Sequence, residues 1–314
     1  MPINNLTEEG FGMLTGSAAP SFTGLLDEYP NAAAAYSVRR LSSTYTGALI
    51  EVRRTVSSTT VTADVAYDSN NELSLDSEIT VTGGSSSATN LGEFVAATGY
   101  SDPDSLGSGQ DAFARTWYDQ SGNANNATQT SASAQPKIYD SVIGLVVENG
   151  KPAIDFDGSN DFLEAGDILS GLAALNVFTV SKIDSSNVFD DIYNKGIGEL
   201  GEREYGLLIN VGMVTIDEDL DTNSTASSTP PANQFLAYSG YDASNVFVGI
   251  DGAALSTNTA LTVKDRSSIL VFMSSDVRNR YSNGNLQEAI FYDSDQSSNR
   301  TGIETNINNY YNIY

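Results

Sequence analysis

The chain has 314 residues, with 40 Asp plus Glu against 15 Lys plus Arg and a net charge of −25. A surface this negative repels phosphate backbones and anionic headgroups, so nucleic acid and membrane are not expected as partners, and a glycan or the basic face of another protein is. Cys and His are both absent, which removes disulfides, thiolate and imidazole metal ligands and the usual neutral-pH base, and leaves any catalysis to carboxylates, Tyr or Lys.

In chain order, residues 1–24 are rich in Gly, Ser and Pro, yet they carry Phe11, Met13, Leu14 and Phe22. They read as an attachment arm that orders against a neighbour, with a frayed terminus as the alternative. The start MPINNLTEEGFGML shows no basic segment leading into an apolar one, so no cleavable export signal is expected. The rest, residues 25–314, shows no dividing linker and no solenoid repeat, and reads as a single large domain.

A helical turn at Leu25 is stopped by Pro30, and the Ala run after it leads into a strand. Residues 48–56 and 59–67 alternate with period two, as half-buried strands do. The segments around Gly83-Gly84 and 101–109 are loops. Residues 113–119 form a strand that stops at an Asn/Gly turn cluster. Residues 138–147 and 153–163 are strands around a turn at Asn149-Gly150. Further strands are expected at 176–183, 205–216, 235–241, 245–250, 268–274 and 286–292, with a Ser/Thr/Pro loop over 222–233. The apolar runs are far shorter than the ~20 residues of a membrane-spanning helix. At the C-terminus Ile303, Ile307, Tyr310, Tyr311 and Tyr314 recur at helical spacing, giving one amphipathic helix. Many short strands and one convincing helix predict an all-β antiparallel sandwich.

Two stretches carry a resemblance. The order Ala35-Tyr-Ser-Val-Arg-Arg, Glu51-Val-Arg-Arg and Thr116-Trp-Tyr-Asp-Gln-Ser-Gly122 resembles the N-terminal portion of the catalytic domain of glycoside hydrolase family 54 α-L-arabinofuranosidases. The part from Phe156-Asp-Gly-Ser-Asn-Asp-Phe-Leu163 to Gly284-Asn-Leu-Gln-Glu-Ala-Ile-Phe-Tyr292 and the closing helix looks like laminin-G and concanavalin A-like domains. The resemblance implies a concanavalin-like sandwich (jelly roll). The family's disulfides, including a vicinal pair at its active site, and its Gly-Asn-Ala-Glu nucleophile stretch have no counterpart here. Glu199, Glu202 and Glu204 lie in an unrelated context. The fold is therefore carried over and no catalytic residue is. The Tyr-Asp-Gln-Ser-Gly signature is also similar to phage virion proteins, tail and head fibres among them, which implies a non-enzymatic virion protein made in the bacterial cytoplasm. Such a protein would join other virion proteins through residues 1–24, form a homo-oligomer on the particle and display a lectin-like sandwich for host glycan attachment. The alternative is an arabinofuranosidase-type glycoside hydrolase acting through two carboxylates, which in a retaining enzyme stand ~5–5.5 Å apart.

Individual residues carry both functional and structural readings. Trp117 is either a sugar-stacking platform or a core residue, burial being the commoner fate of a large aromatic. Tyr118 points to the other face of the same strand. Asp119, Asn123, Asn125 and Asn126 could line a ligand groove or form an Asx-rich turn that satisfies its own backbone. Asp155, Asp157 and Asp161 could ligate calcium or cap a turn. Asp217–Asp221 begins like an EF-hand loop but has Thr222 and Ser228 at the positions for Gly and Glu, and reads as a solvated acidic loop. In Arg39-Arg40 and Arg53-Arg54 one side chain faces each side of a sheet, so at least one of each pair is expected in an internal salt bridge.

Overall fold

The computed structural model describes residues 22–184, 191–196, 203–208, 213–219, 222–260, 265, 267–275 and 280–314. The proposed arm, except Phe22–Gly24, and Glu199 and Glu202 lie outside the described residues.

The architecture is an antiparallel β-sandwich. One wall is built around the strand Asn283–Tyr292. Ala34–Ser37 and Ile154–Asp157 pair end to end along one side of it, and Leu175–Ile183 pairs along the other. Phe235–Tyr241, Asn245–Ile250 and Ser256–Thr259 follow in turn. The other wall runs from Ile79–Gly83 through Thr59–Val65, Ile50–Val56 and Ala112–Trp117. It continues through Ala127–Thr128, Leu163–Glu164, Leu270–Phe272 and Asp191–Gly196. Arg203–Leu208, Met213–Asp219 and Thr222–Ser227 complete it. Lys137–Asp140 pairs with a strand of each wall and ties them together.

Period-two alternation explains the core. Val52, Val61, Ala63, Val65, Ala114 and Trp117 from one wall meet Val177, Ala237, Val248, Ala289 and Phe291 from the other. At the centre the rings of Tyr36, Trp117 and Phe272 lie 5.2–6.0 Å apart, with Phe291 5.9 Å from Phe272. The edge-on and tilted geometries suit ring quadrupoles.

The Asn283–Tyr292 wall is buried on its outer face as well. There Phe178, Val180, Tyr238 and Tyr292 form a second core with Ile303, Ile307 and Tyr311 of the C-terminal helix Arg300–Tyr311. This is the helix read from the spacing of those apolar residues. It ends where Asn312 takes φ +53° and its N–H returns to the Asn308 carbonyl at 2.7 Å, an αL cap of the kind Asn tolerates. Among the described residues no helix is long and apolar enough to cross a membrane.

The structure departs from the sequence expectations locally. Residues 138–147 and 153–163 are not two long strands but a series of short ones broken by turns. Asn149 and Gly150 do form the turn between Val147–Glu148 and Lys151–Pro152, both at positive φ. The expected loop over 222–233 opens with a strand, Thr222–Ser227, and Asp217–Asp219 belongs to a strand rather than a loop. Pairing with Met213–Asp219 supplies the backbone partners that composition could not reveal. Leu91–Phe94 forms a short helix capped by Asn90, whose side chain accepts from the Glu93 N–H.

Candidate functional site

The Tyr118–Gly122 motif is built as a bracket. Asp119 is buried, and its carboxylate accepts hydrogen bonds from the N–H groups of Ala35 (2.8 Å), Ser121 (2.9 Å) and Asn125 (3.0 Å) and from the Ser121 hydroxyl (2.8 Å). Gln120 is buried too: its side-chain oxygen accepts from the Leu41 N–H at 2.8 Å, and its amide donates to the Arg39 carbonyl at 2.9 Å. The Asn125 and Asn123 amides donate to the Ala33 carbonyl, and Asn126 accepts from the Asp119 N–H. The motif thus satisfies the backbone of the turn and of the Ala32–Leu41 segment beside it, which is the turn reading of these residues. Trp117 is fully buried between the walls and cannot reach a sugar. Of its two roles the structure shows the core one, which corrects its place among the ligand contacts. Tyr118 faces the other way, half-buried, and its hydroxyl donates to Asp64 at 2.6 Å. Burial and the Asp64 carboxylate hold that phenol well above its ordinary pKa.

The calcium reading of Asp155, Asp157 and Asp161 does not fit. Asp157 accepts from the N–H groups of Ser159 and Asn160, and Asp161 from that of Asp157. The Asp157 and Asp161 oxygens close their own turn, and among the described residues no group of three or more acidic side chains is arranged to hold a metal ion. Asp161 is nonetheless unusual: burial, aided by the Asp157 and Asp155 carboxylates, pushes its pKa up to about 7, against the lowering effect of its hydrogen bond from Asp157.

Another buried charge cluster involves Glu204. The ammonium of fully buried Lys195 lies 2.7 Å from Asp167 and 3.8 Å from fully buried Glu204, which also accepts from the Gly171 N–H at 2.8 Å. The Lys195 hydrogen bond holds the Asp167 carboxyl below its ordinary pKa, the opposite of what a general acid requires.

Two clefts flank the loop that follows the strand Ala34–Ser37. The first, about 310 Å³, is lined by Ser42, Thr44, Tyr45, Asn31, Gln120 and Ser121 among others. The Tyr-Asp-Gln-Ser-Gly turn forms one lip, and the half-buried Tyr45, whose hydroxyl donates to the Ala48 carbonyl at 2.5 Å, sits on the other. The second, about 280 Å³, lies where Phe22–Gly24 meets the C-terminal helix and contains Arg39, Arg40 and Tyr310. Neither lining was singled out as a site from the sequence, although Ser42–Tyr45 begins only two residues after the paired arginines.

One arginine of each pair makes an internal salt bridge, as expected, although only Arg53-Arg54 sits within a strand, Ile50–Val56, and Arg39-Arg40 lies beyond the end of Ala34–Ser37. Arg39 is salt-bridged to buried Glu288 at 2.8 Å and Arg54 to Asp104 at 2.6 Å. Among the described residues, their neighbours Arg40 and Arg53 bond only to neutral oxygens.

No family model and no curated protein matches the chain. Among solved structures, a family 54 α-L-arabinofuranosidase soaked with a cyclic sulfate inhibitor has a similar fold, with TM-score 0.59, 16% identity and coverage of 91% of this chain and 65% of that one. An arabinofuranosidase complexed with arabinofuranosyl-α-1,2-xylobiose gives TM-score 0.56 and 17% identity over 91% of this chain and 64% of that one. The chain therefore spans just under two thirds of those enzymes' length. At this identity the likeness is one of fold: the sandwich expected from the two sequence motifs is the sandwich observed.

Proposed function

We propose that this chain is a non-catalytic glycan-recognition sandwich displayed on a phage particle. The observation that carries the glycan reading is the cleft beside the Tyr-Asp-Gln-Ser-Gly turn. Its lining is neutral, combining an aromatic ring at Tyr45 with hydroxyl and amide groups at Ser42, Thr44, Asn31 and Ser121. Aromatic faces pack on the apolar side of a sugar while hydroxyls and amides match its alternating donors and acceptors. The Asp119 and Gln120 brackets hold one lip rigid, which limits the ordering cost of binding. The particle reading is supported by the sequence likeness to virion proteins. The test is a glycan array followed by titration of the best ligand. Tyr45→Ala is expected to weaken binding at least tenfold, and an array with no bound glycan would overturn the glycan reading. For the particle, deletion of residues 1–24 is expected to abolish incorporation into purified virions, as read by mass spectrometry.

One observation favours the hydrolase alternative. Asp161, with its pKa pushed up to about 7, would be about half protonated at neutral pH, so part of the population could serve as a general acid. Release of 4-nitrophenol from aryl arabinofuranosides, abolished in Asp161→Asn, would establish it.

A further inference from the structure

We infer that the second cleft binds the carboxylate of an acidic sugar, a uronic or sialic-type residue, with Arg40 as its anchor. This rests on the glycan reading above and assigns it a second, charge-selective subsite.

In a chain with 40 carboxylates and 15 cations, a cation without a carboxylate is unexpected. Arg40 is such a cation among the described residues. Its guanidinium donates to the carbonyls of Tyr45 (2.9 Å) and Ser43 and to the Asn71 side-chain oxygen (3.3 Å), all neutral. Arg53 shares this property, but it is buried over the Phe113 ring and bonded to Gln135, Thr55 and Ala132. Arg40 instead lines an open cleft of about 280 Å³. Its guanidinium lies 4.4 Å from the Tyr67 ring centroid and 5.1 Å from that of Phe22, which hold it in place.

The surrounding polarity matches. Asn71 accepts from Arg40 and Asn306 accepts from Arg39 through their side-chain oxygens. Each amide then keeps its NH₂ group as a donor. A guanidinium carries five donors and Arg40 uses three of them. The cleft is therefore rich in donors, which suits a ligand rich in acceptors, and the planar guanidinium fork fits a carboxylate. Nearby carboxylates are already engaged: Glu288 by Arg39, and Glu72 by Lys151 at 2.7 Å and the Tyr310 hydroxyl at 2.6 Å. Asp68 accepts from the backbone of its own turn. Asn70 and Asn309, both exposed, form the rim, where amides can meet sugar hydroxyls.

The test compares oligosaccharides ending in uronic or sialic acids with their carboxyl-reduced counterparts on one array, followed by calorimetric titration of the full chain. The acidic forms are expected to bind at least tenfold more tightly. Arg40→Gln should remove that preference, and Asn309→Trp, on the exposed rim, should block the cleft while leaving the hydrogen bonds and ring contacts of Arg40 in place. Should Arg40→Gln fail to fold by circular dichroism, Asn309→Trp decides. Equal binding of the two glycan forms, or a preference that survives both substitutions, would overturn the inference. Binding of neutral glycans without that preference would leave the glycan reading standing, and binding of none would end both.

Discussion

Asp119 shows how one side chain in this sandwich does the work of several. Its carboxylate takes three backbone N–H groups and a hydroxyl in a buried site. Asp119→Ala would strand those donors, and we expect a loss of about 3 kcal/mol or more in urea unfolding, since each buried unsatisfied group costs about 1–3 kcal/mol. Tyr118→Phe removes one half-buried hydrogen bond to Asp64 and is expected to cost about 1 kcal/mol. Asp161 behaves in the opposite sense. Its pKa, raised from 3.8 to about 7 mainly by burial, means that the folded state holds a proton the unfolded chain releases. Its contribution to stability is complete below about pH 4 and is lost as pH rises towards 7. Asp161→Asn keeps an acceptor for the Asp157 N–H and removes the charge. It should be near neutral at pH 4 and stabilising at pH 8, on the order of 2 kcal/mol after allowing for partial solvation. Equal effects at both pH values would contradict this account.

Among the elements, the C-terminal helix and the wall beneath it form one unit. Ile303, Ile307 and Tyr311 are fully buried against the outer face of that wall. Ile307→Ala is expected to cost about 3 kcal/mol, as transfer and cavity terms add, and a thermal melt reads it. The wall also requires a glycine. Gly240 lies in Phe235–Tyr241 at φ +148°, and a Cβ there would stand 1.9 Å from the Leu175 carbonyl oxygen of the paired strand. Gly240→Ala should therefore break the pairing and leave little soluble protein. The helix was legible because Ile303, Ile307 and Tyr311 recur at 3.6-residue spacing, and the strands at 50–56 and 59–65 because their apolar residues alternate. Thr222–Ser227 was read as a loop because its composition is polar, and its strand character comes from pairing alone.

For the whole molecule, a net charge of −25 makes compaction work against self-repulsion. Raising monovalent salt from about 0.01 M to about 0.1 M shortens the screening length from about 30 Å to about 10 Å. The melting temperature is expected to rise over that range, and a flat or falling trend would mean that internal ion pairs such as Arg39–Glu288 and Lys195–Asp167 outweigh the repulsion. What the sequence by itself determined is the class of the fold, the C-terminal helix and the absence of thiol and imidazole chemistry. These follow from periodicity and composition, which are local properties. The roles of Trp117, Asp119, Asp157 and Asp161 were decided only by tertiary structure, because strand and turn residues read the same whether they face a core, a backbone or solvent. The same holds for the two clefts. Arg39 and Arg40 are adjacent and chemically identical in the chain. Only the packing of residues 22–24, 67, 71, 288 and 306 around them pairs one with a carboxylate and leaves the other facing the cleft.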